Sequence, residues 1–453
     1  MRRCKRRVPR LFGVLALLFV VPANRCRADD WPQWLGPKRD GIWRETGILA
    51  KFPPEGPKVR WRTPIAGGYD GPAVAGERVY LVDRFVPDGE FPQKSRPAAG
   101  PGKERVVCLD EATGQILWKH EYDCTYHVGY PAGPRATPIV RDGKVYTLGT
   151  MGRLLCLEAA TGKVLWQKDF REDYQARVPT WGFSANPLLD GDRLICMVGG
   201  PGSVTVAFHK DTGQELWRAL SAAEPGYCPP MIFEVGGVRQ LIIWHPEAIN
   251  SLNPQTGEVY WSEPFYVRSG ITLATPRLAG HLLFVSCFYN GPMMLKLDPD
   301  KPHAEVLWKG KSNSEQPRLT DKLHSLMCTA FIKDGYIYGV CTYGQLRCVK
   351  ADTGERVWET LRATGSQEEP VERWANAFIV AHEDRFFLFN EKGDLMIARL
   401  IPQGYDEISR AHIIEPTNRM PGRLVVWSHP AFANRSMYVR NDQEIVCLSL
   451  AAE

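Results

Sequence analysis

The strongest constraint on the fold of this chain is a motif that keeps returning along it. The segments VCLDEATGQILW, LCLEAATGKVLW, AFHKDTGQELW, SLNPQTGEVYW and CVKADTGERVW end at Trp118, Trp166, Trp217, Trp261 and Trp358, and each contains Thr-Gly-x-x-x-Trp. Two looser copies fill the gaps. KLDPDKPHAEVLW ends at Trp308 with a lengthened turn, and ARLIPQGYDEI keeps Gly404 but has Ile408 where Trp is expected. Successive end points lie about 44 to 51 residues apart, the length of one four-stranded propeller blade.

Each unit reads as four short strands. ATPIV meets the tight turn Arg141-Asp142-Gly143, KVYTLGT follows, and RLLCLEA then turns through Thr161-Gly162 into KVLWQKDF. Glycine at such a turn takes a positive φ that other residues resist, so the hairpin closes in few residues. The tryptophan falls on the fourth strand at a fixed offset from Thr-Gly, where its ring can wedge between neighbouring blades. Trp118, Trp166, Trp217, Trp261, Trp308 and Trp358 are therefore expected to dock blade on blade.

The count closes on eight. After the Ile408 copy one more unit runs through WSHPAFANRSMYVRNDQEIVCLSL, and the sequence stops at Glu453 before a fourth strand. The strand it lacks matches KVRWRT, Lys58 to Thr63, which has a tryptophan, Trp61, and no three strands before it. The expected architecture is an all-β, eight-bladed β-propeller of four-stranded antiparallel blades, closed by the amino-terminal strand joining the last blade and so left without an open edge. A seven-bladed ring with a loose tail is the alternative. The propeller is expected over residues 58–450, after a short segment over 29–57. Residues 29–54 precede the closing strand, and their removal is expected to cost little stability.

The amino terminus carries Arg2, Arg3, Lys5, Arg6, Arg7 and Arg10, then an apolar run from Leu11 to Val21, then a polar stretch to Ala28. That is the plan of a secretory signal peptide over residues 1–28. Its apolar helix would span about 16 Å, roughly half of a bilayer core, so no transmembrane anchor is expected. The chain is expected to be exported to the periplasm or the medium. Cys26 raises lipid anchoring at the membrane surface, but Asn24 and Arg25 before it do not suit that reaction. Residues 29–453 hold 48 Lys or Arg and 51 Asp or Glu, so the apparent basic excess belongs to the targeting segment. Charge gives no reason to propose a nucleic-acid partner.

Ten of the 12 cysteines lie beyond residue 28. Cys108, Cys156, Cys348 and Cys447 occupy one equivalent place in different repeats, inside apolar strands, and read as small buried hydrophobes. Cys328 and Cys341 are the pair placed for a bond within a blade. No haem-binding Cys-x-x-Cys-His and no zinc-type cysteine pair occurs.

These motifs resemble the pyrroloquinoline-quinone (PQQ) repeat superfamily, whose consensus is close to Ala-x-Asp-x-x-Thr-Gly-x-x-x-Trp. The resemblance covers about residues 58 to 450, and WPQWLGPKRDGI (31–42) looks like the leader of bacterial PQQ-binding-like propeller proteins. It implies one of two functions on a shared fold: a quinoprotein dehydrogenase holding PQQ and Ca²⁺, or a BamB-type scaffold of outer-membrane protein assembly, which binds proteins and no cofactor. The adjacent-cysteine pair that commonly stacks PQQ in alcohol-oxidising quinoproteins is missing here. So are a haem-binding tail and an alignable Asp/Glu/Asn set for Ca²⁺. A monomeric, non-catalytic scaffold without cofactor is therefore the expectation, with a PQQ- and Ca²⁺-dependent sugar or alcohol dehydrogenase as the alternative. No metal site is expected under the first reading.

Turns on one face are short: AGER, RDGK, DGD, KDGY, HEDR and the Thr-Gly turns. Connections on the other face are elaborated, with an insertion from Val86 to Lys103 and long crossovers around Tyr122–Arg135, Phe170–Phe183, Lys311–His324 and Leu361–Trp374. One-sided elaboration of a repeat marks that face for binding a protein or glycan. Residues entering the innermost strands there should ring the channel mouth: Asp70, Arg135, Ser184, Asn186, Tyr227, His324, Trp374, Asn376 and His429, with His245 nearby. His127, His245, His324 and His429 lack metal-ligand spacing. Gly-x-Ser-x-Gly, Gly-Lys-Ser/Thr and His-Glu-x-x-His are all absent, so common hydrolase and nucleotide chemistries have no footing.

Overall fold

The computed structural model describes residues 29–87, 98–365 and 372–452. The proposed signal segment with Cys26, most of the Val86–Lys103 insertion and part of the Leu361–Trp374 crossover lie outside these residues. Apolar residues alternate along short strands between Gly-rich turns, and the strands pair into eight separate four-stranded antiparallel sheets. Each is one blade. Blade 1 comprises Ala73–Ala75, Arg78–Phe85, Lys103–Asp110 and Ile116–Asp123, and blade 2 comprises Ile139–Arg141, Lys144–Leu148, Arg153–Glu158 and Val164–Asp169. Blades 3 to 7 repeat the plan from innermost strands beginning at Leu188, Met231, Arg277, Phe331 and Ala377.

Blade 8 takes three strands from the carboxyl end, Ala431–Ala433, Ser436–Arg440 and Glu444–Ser449, and its outer strand, Val59–Pro64, from the amino end. Trp61 pairs with Cys447 across that junction. The ring thus closes as the two incomplete ends require, one residue later than the expected Lys58–Thr63. The ends are also clamped at the inner strands. Asp70 accepts Val82 N–H of blade 1 at 2.8 Å and the Arg440 guanidinium of blade 8 at 2.5 Å, with both side chains of the ion pair fully buried.

The repeat tryptophans do dock on the next blade, and at five seams the Thr-Gly turn is what they dock on. Trp61, Trp118, Trp166, Trp308 and Trp358 each donate an indole N–H to a carbonyl of the following blade: Glu111, Ala159, Lys210, Ala351 and Ile401, at 2.8 to 3.1 Å. A Cβ added at Gly162 would lie 2.4 Å from the Trp118 ring, so this glycine serves packing as well as its φ of +74°. Trp261 instead donates within its own blade to Gln240. Trp217 packs on Gly257 while its N–H is left without a partner.

The four equivalent cysteines have a shared role. In blades 1, 2, 6 and 8 a Tyr, the Cys and the Trp lie directly opposite one another on three successive strands, as in Tyr146–Cys156–Trp166. The Tyr and Trp ring centroids are 6.0 to 6.2 Å apart, and the small thiol fits between them. Burial pushes these thiols up, to about 11 for Cys108 and about 12 for Cys156. All ten cysteines from Cys108 to Cys447 are free, including Cys328 and Cys341. The expected pair fails because the two face opposite sides of blade 6. Cys328 packs with Tyr338 and Val340, Cys341 with Ile337 and Val349.

Two further expectations are corrected. Ile408 does not stand in the tryptophan's place. Every outer strand carries a one-residue bulge just before its Trp, and in blade 7 the bulge residue is Ile408 while Ser409 pairs with Ile397 at the Trp position. The blade 7 hairpin turns in two residues between Ile401 and Gly404, so alignment on its glycine is out by one. Nor is the segment before Val59 a passive leader. Residues 31–42 cross the central channel at the short-turn side. Trp31 exchanges hydrogen bonds with Val74 of blade 1, Pro32 accepts from Val140 of blade 2, Arg39 donates to Pro187 and Pro230 at the inner edges of blades 3 and 4, and Gly41 accepts from Ala381 of blade 7. Trp43, 1% exposed, then wedges between Phe387 of blade 7 and Phe432 of blade 8. Leu49 N–H donates to Leu450, and Phe52 N–H donates to the Ser409 hydroxyl.

That last run has a reason. The seam between blades 7 and 8 lacks both docking partners found elsewhere: blade 7 offers Ser409 in place of Trp, and blade 8 has a chain break where its Thr-Gly turn would be. The amino-terminal segment supplies the missing apolar volume.

Candidate functional site

The plug makes the channel a cup. Its floor includes Trp34, held by an indole N–H bond to the Thr275 hydroxyl at 3.0 Å and packed edge-on against His429 with centroids 4.8 Å apart. Its mouth opens on the elaborated face, and its volume is about 330 Å³. That lies at the lower end of the range for small-molecule sites. The crossovers that lead into the innermost strands line the wall, and they bring aromatic rings: Tyr69, Tyr130, Trp181, Tyr227, Trp374 and Trp427.

Of the residues expected at the channel mouth, Arg135, Ser184, Asn186, Tyr227, Trp374 and His429 come together in this cup. Four do not. Asp70 is sealed in its ion pair with Arg440, and burial pushes its carboxyl up, to about 7, against the pull of that guanidinium. His324 is fully buried beside the Phe288 carbonyl and Asp321. His245 ends a strand of blade 4, buried, with its ring nitrogen accepting Glu247 N–H. Asn376 is buried and its carbonyl accepts Glu391 N–H. Position at a strand entrance does not decide which way a side chain faces, and these four turn into the blades.

Trp34, Tyr69, Tyr130, Trp181 and Trp427 also line the cup, beyond the residues expected at its mouth. A signal was present: aromatic residues recur in crossover after crossover, a few residues ahead of the innermost strand. Three lining residues, Tyr130, Ser269 and Trp374, hold left-handed backbone with φ of +52°, +58° and +68°. Such conformations disfavour side-chain-bearing residues and gather where a ligand is gripped.

The polar groups are nearly all neutral. Burial lowers His429 to about 4, so its imidazole is uncharged at neutral pH, and Nδ1–H donates to the Pro430 carbonyl at 2.7 Å. Burial raises the Tyr69 and Tyr227 hydroxyls above their ordinary range. Among the described residues, Arg135 is the one cation lining the cup, lowered by burial. Its terminal nitrogens are committed to the carbonyls of Gly129, Tyr130 and Gly133. Among the described residues, none that lines the cup is Asp or Glu.

This donor set does not fit a Ca²⁺–quinone group. Calcium takes six to eight oxygen ligands with carboxylates among them, and PQQ itself is a tricarboxylate that needs free cations. The described residues of the cup offer neither. Among the described residues, His, Cys, Asp and Glu side chains form no metal-binding group of three or more.

Comparison with known proteins agrees with the ring geometry. No curated protein sequence matches. Among solved structures, BamB from Moraxella catarrhalis superposes with a TM-score of 0.54 at 15% identity, over 87% of this chain and 99% of that one. Quinohemoprotein alcohol dehydrogenase from Comamonas testosteroni gives 0.61 at 13% identity, over 94% of this chain and 81% of that one. Quinohemoprotein alcohol dehydrogenase ADHIIG from Pseudomonas putida HK5 gives 0.56 at 12%, over 94% and 80%. At these identities the likeness is one of fold. A family model described as outer membrane protein assembly factor BamB matches residues 102–360 and 200–452, and with its Thr-Gly-x-x-x-Trp repeats and eight-bladed ring the chain belongs to that PQQ-repeat β-propeller family.

Proposed function

We propose that this chain is an exported, non-catalytic binding scaffold that presents its elaborated face to a protein or glycan partner. The carrying observation is the cup: closed below by residues 31–42, open on the elaborated face, lined by aromatic rings and, among the described residues, free of lining carboxylates. A general acid or base needs a titratable group within reach of substrate. The cup offers a neutral His429 and a committed Arg135, which suits holding rather than turnover. The short turns of the opposite face are occupied in docking blade to blade. Export rests on the tripartite segment before residue 29, and among the described residues no helix is long and apolar enough to cross a membrane. We take the working form to be a monomer without PQQ or Ca²⁺.

Two measurements test this reading. Purified protein titrated with PQQ and Ca²⁺, then assayed with a redox dye over a panel of alcohols and sugars, should show neither saturable binding nor turnover; saturable binding with turnover overturns the scaffold. Photo-cross-linkers at Tyr266 and Leu319, exposed on the elaborated crossovers, should give adducts in a cell-envelope extract. The same groups at Lys163 and Glu258, beside Thr-Gly turns, should give none.

A further inference from the structure

The cup does not end at its rim. Tyr289 forms part of its wall and also part of a neighbouring surface trough lined by Arg268, Ser312, Asn313, Ser314, Glu315, Gln316 and Leu319. Residues 312–319 belong to the crossover between blades 5 and 6, so one ring joins an aromatic cavity to a strip rich in hydroxyl and amide side chains, in which Glu315 is paired with Arg373 at 2.7 Å. Arg268 stacks over Tyr289 at 4.7 Å, and Asn290 Nδ2 contacts Asn313 Oδ1 at 3.4 Å.

We infer that the cup and the trough are one carbohydrate site, which takes the end of an uncharged oligosaccharide: the terminal sugar in the cup, the next units along the trough. The inference rests on the reading of the elaborated face as the binding face. A pyranose ring has apolar C–H faces and a rim of hydroxyls, each both donor and acceptor. The cup presents the complement. The indole N–H of Trp34 is tied to Thr275 and that of Trp427 to Glu391 at 2.8 Å, which fixes these rings and leaves their faces for stacking. Ser184, Asn186 and the neutral His429 supply uncharged partners around them.

The charge pattern decides against other occupants. In the cup an acidic ligand would meet an arginine whose terminal nitrogens are already bonded to backbone carbonyls, and a basic peptide would meet no carboxylate among the described lining residues; in the trough Glu315 is paired with Arg373 and Arg268 lies over the Tyr289 ring. A purely apolar ligand would leave the hydroxyls and amides of the trough unpaired, which is costly wherever water is displaced. The trough gives the site length, so affinity should grow with chain length where a cup alone would bind a single unit.

The test is calorimetric titration and tryptophan fluorescence of the full purified protein with gluco-, xylo- and N-acetylglucosamine oligosaccharides of one to six units, α- and β-linked. At least one series should bind saturably, with affinity rising over the first three or four units. Trp374→Ala should weaken that binding at least tenfold and Trp374→Phe less, with thermal unfolding measured on both so that a misfolded variant is recognised. Asn313→Ala with Ser314→Ala should leave the single sugar unaffected and abolish the gain with length. Silence across the panel from folded protein overturns the carbohydrate assignment. If cross-linking from Tyr266 and Leu319 still succeeds, the scaffold reading stands and its partner is a protein; if that also fails, both fall. Tight binding of an acidic peptide or of PQQ that excludes the sugars would likewise overturn the site.

Discussion

At the scale of single residues, glycine and tryptophan act as a pair across five of the eight seams. Gly162 and Gly143 have nearly equal backbone strain, with φ of +74° and +71°, but a Cβ on the first would strike the Trp118 ring and a Cβ on the second would meet nothing within 4 Å. Gly143→Ala should therefore cost about 1 kcal/mol, the lower range for a side chain forced into left-handed backbone. Gly162→Ala should cost about 2 kcal/mol more, within the range for overpacking a closed site. Denaturant unfolding of the two single variants and of each in a Trp118→Ala background checks this: the extra cost must vanish when the ring is gone. His429 provides a residue-scale test in pH. Its folded pKa, about 4, is below the ordinary value of 6.5, so the unfolded chain binds the proton more tightly. Stability is then unaffected by this group above pH 6.5, falls as pH drops from 6.5 toward 4, and levels below. The whole change is on the order of 3 kcal/mol. Stability measured against pH in His429→Asn should lack that limb, and an unchanged profile would refute the assignment.

At the scale of elements, the blade plan was legible because its grammar is local. A turn glycine, an alternating strand and a tryptophan four residues on lie within a dozen positions, and the same constraint repeats in five full copies. Legibility ended where the local spacing changed. The two-residue turn before Gly404 moves the register by one, so Ser409 and not Ile408 takes the tryptophan position. Because Phe52 already covers Ser409, restoring the repeat consensus with Ser409→Trp should lower the melting temperature of the full chain instead of raising it. The channel plug was illegible for a different reason. WPQWLGPKRDGI has neither strand nor helix period, and its partners, from Val74 to Ala381, are far away in sequence. The cup was only partly legible for a third reason: a polar residue at a strand entrance can face the channel, as Arg135 does, or the blade interior, as Asp70 and His324 do.

At the scale of the whole molecule, the ring is closed three times: by the outer strand Val59–Pro64, by the buried Asp70–Arg440 pair, and by the segment that fills the seam between blades 7 and 8. Removal of residues 29–54 should therefore destabilise strongly, against the expectation drawn from sequence, since it opens the channel and withdraws Trp31, Trp43 and Phe52 from the core. Trp43→Ala alone should cost about 3 to 5 kcal/mol, the range for a buried aromatic. Removal of residues 29–63 should be worse still. Thermal unfolding of the three variants beside the intact protein orders these effects, and equal melting temperatures for intact and Δ29–54 protein would show that the plug does not stabilise the ring. The plug also carries a consequence for the order of events during synthesis. Leu49 bonds to Leu450, made about 400 residues later. At ribosomal rates of about 5 to 20 residues per second, roughly 20 to 80 s separate them. Throughout that interval Trp31, Trp34 and Trp43 have no finished channel to enter. The ring thus has its earliest and latest strands meeting at one seam, and a chain released before that seam is made leaves these tryptophans exposed.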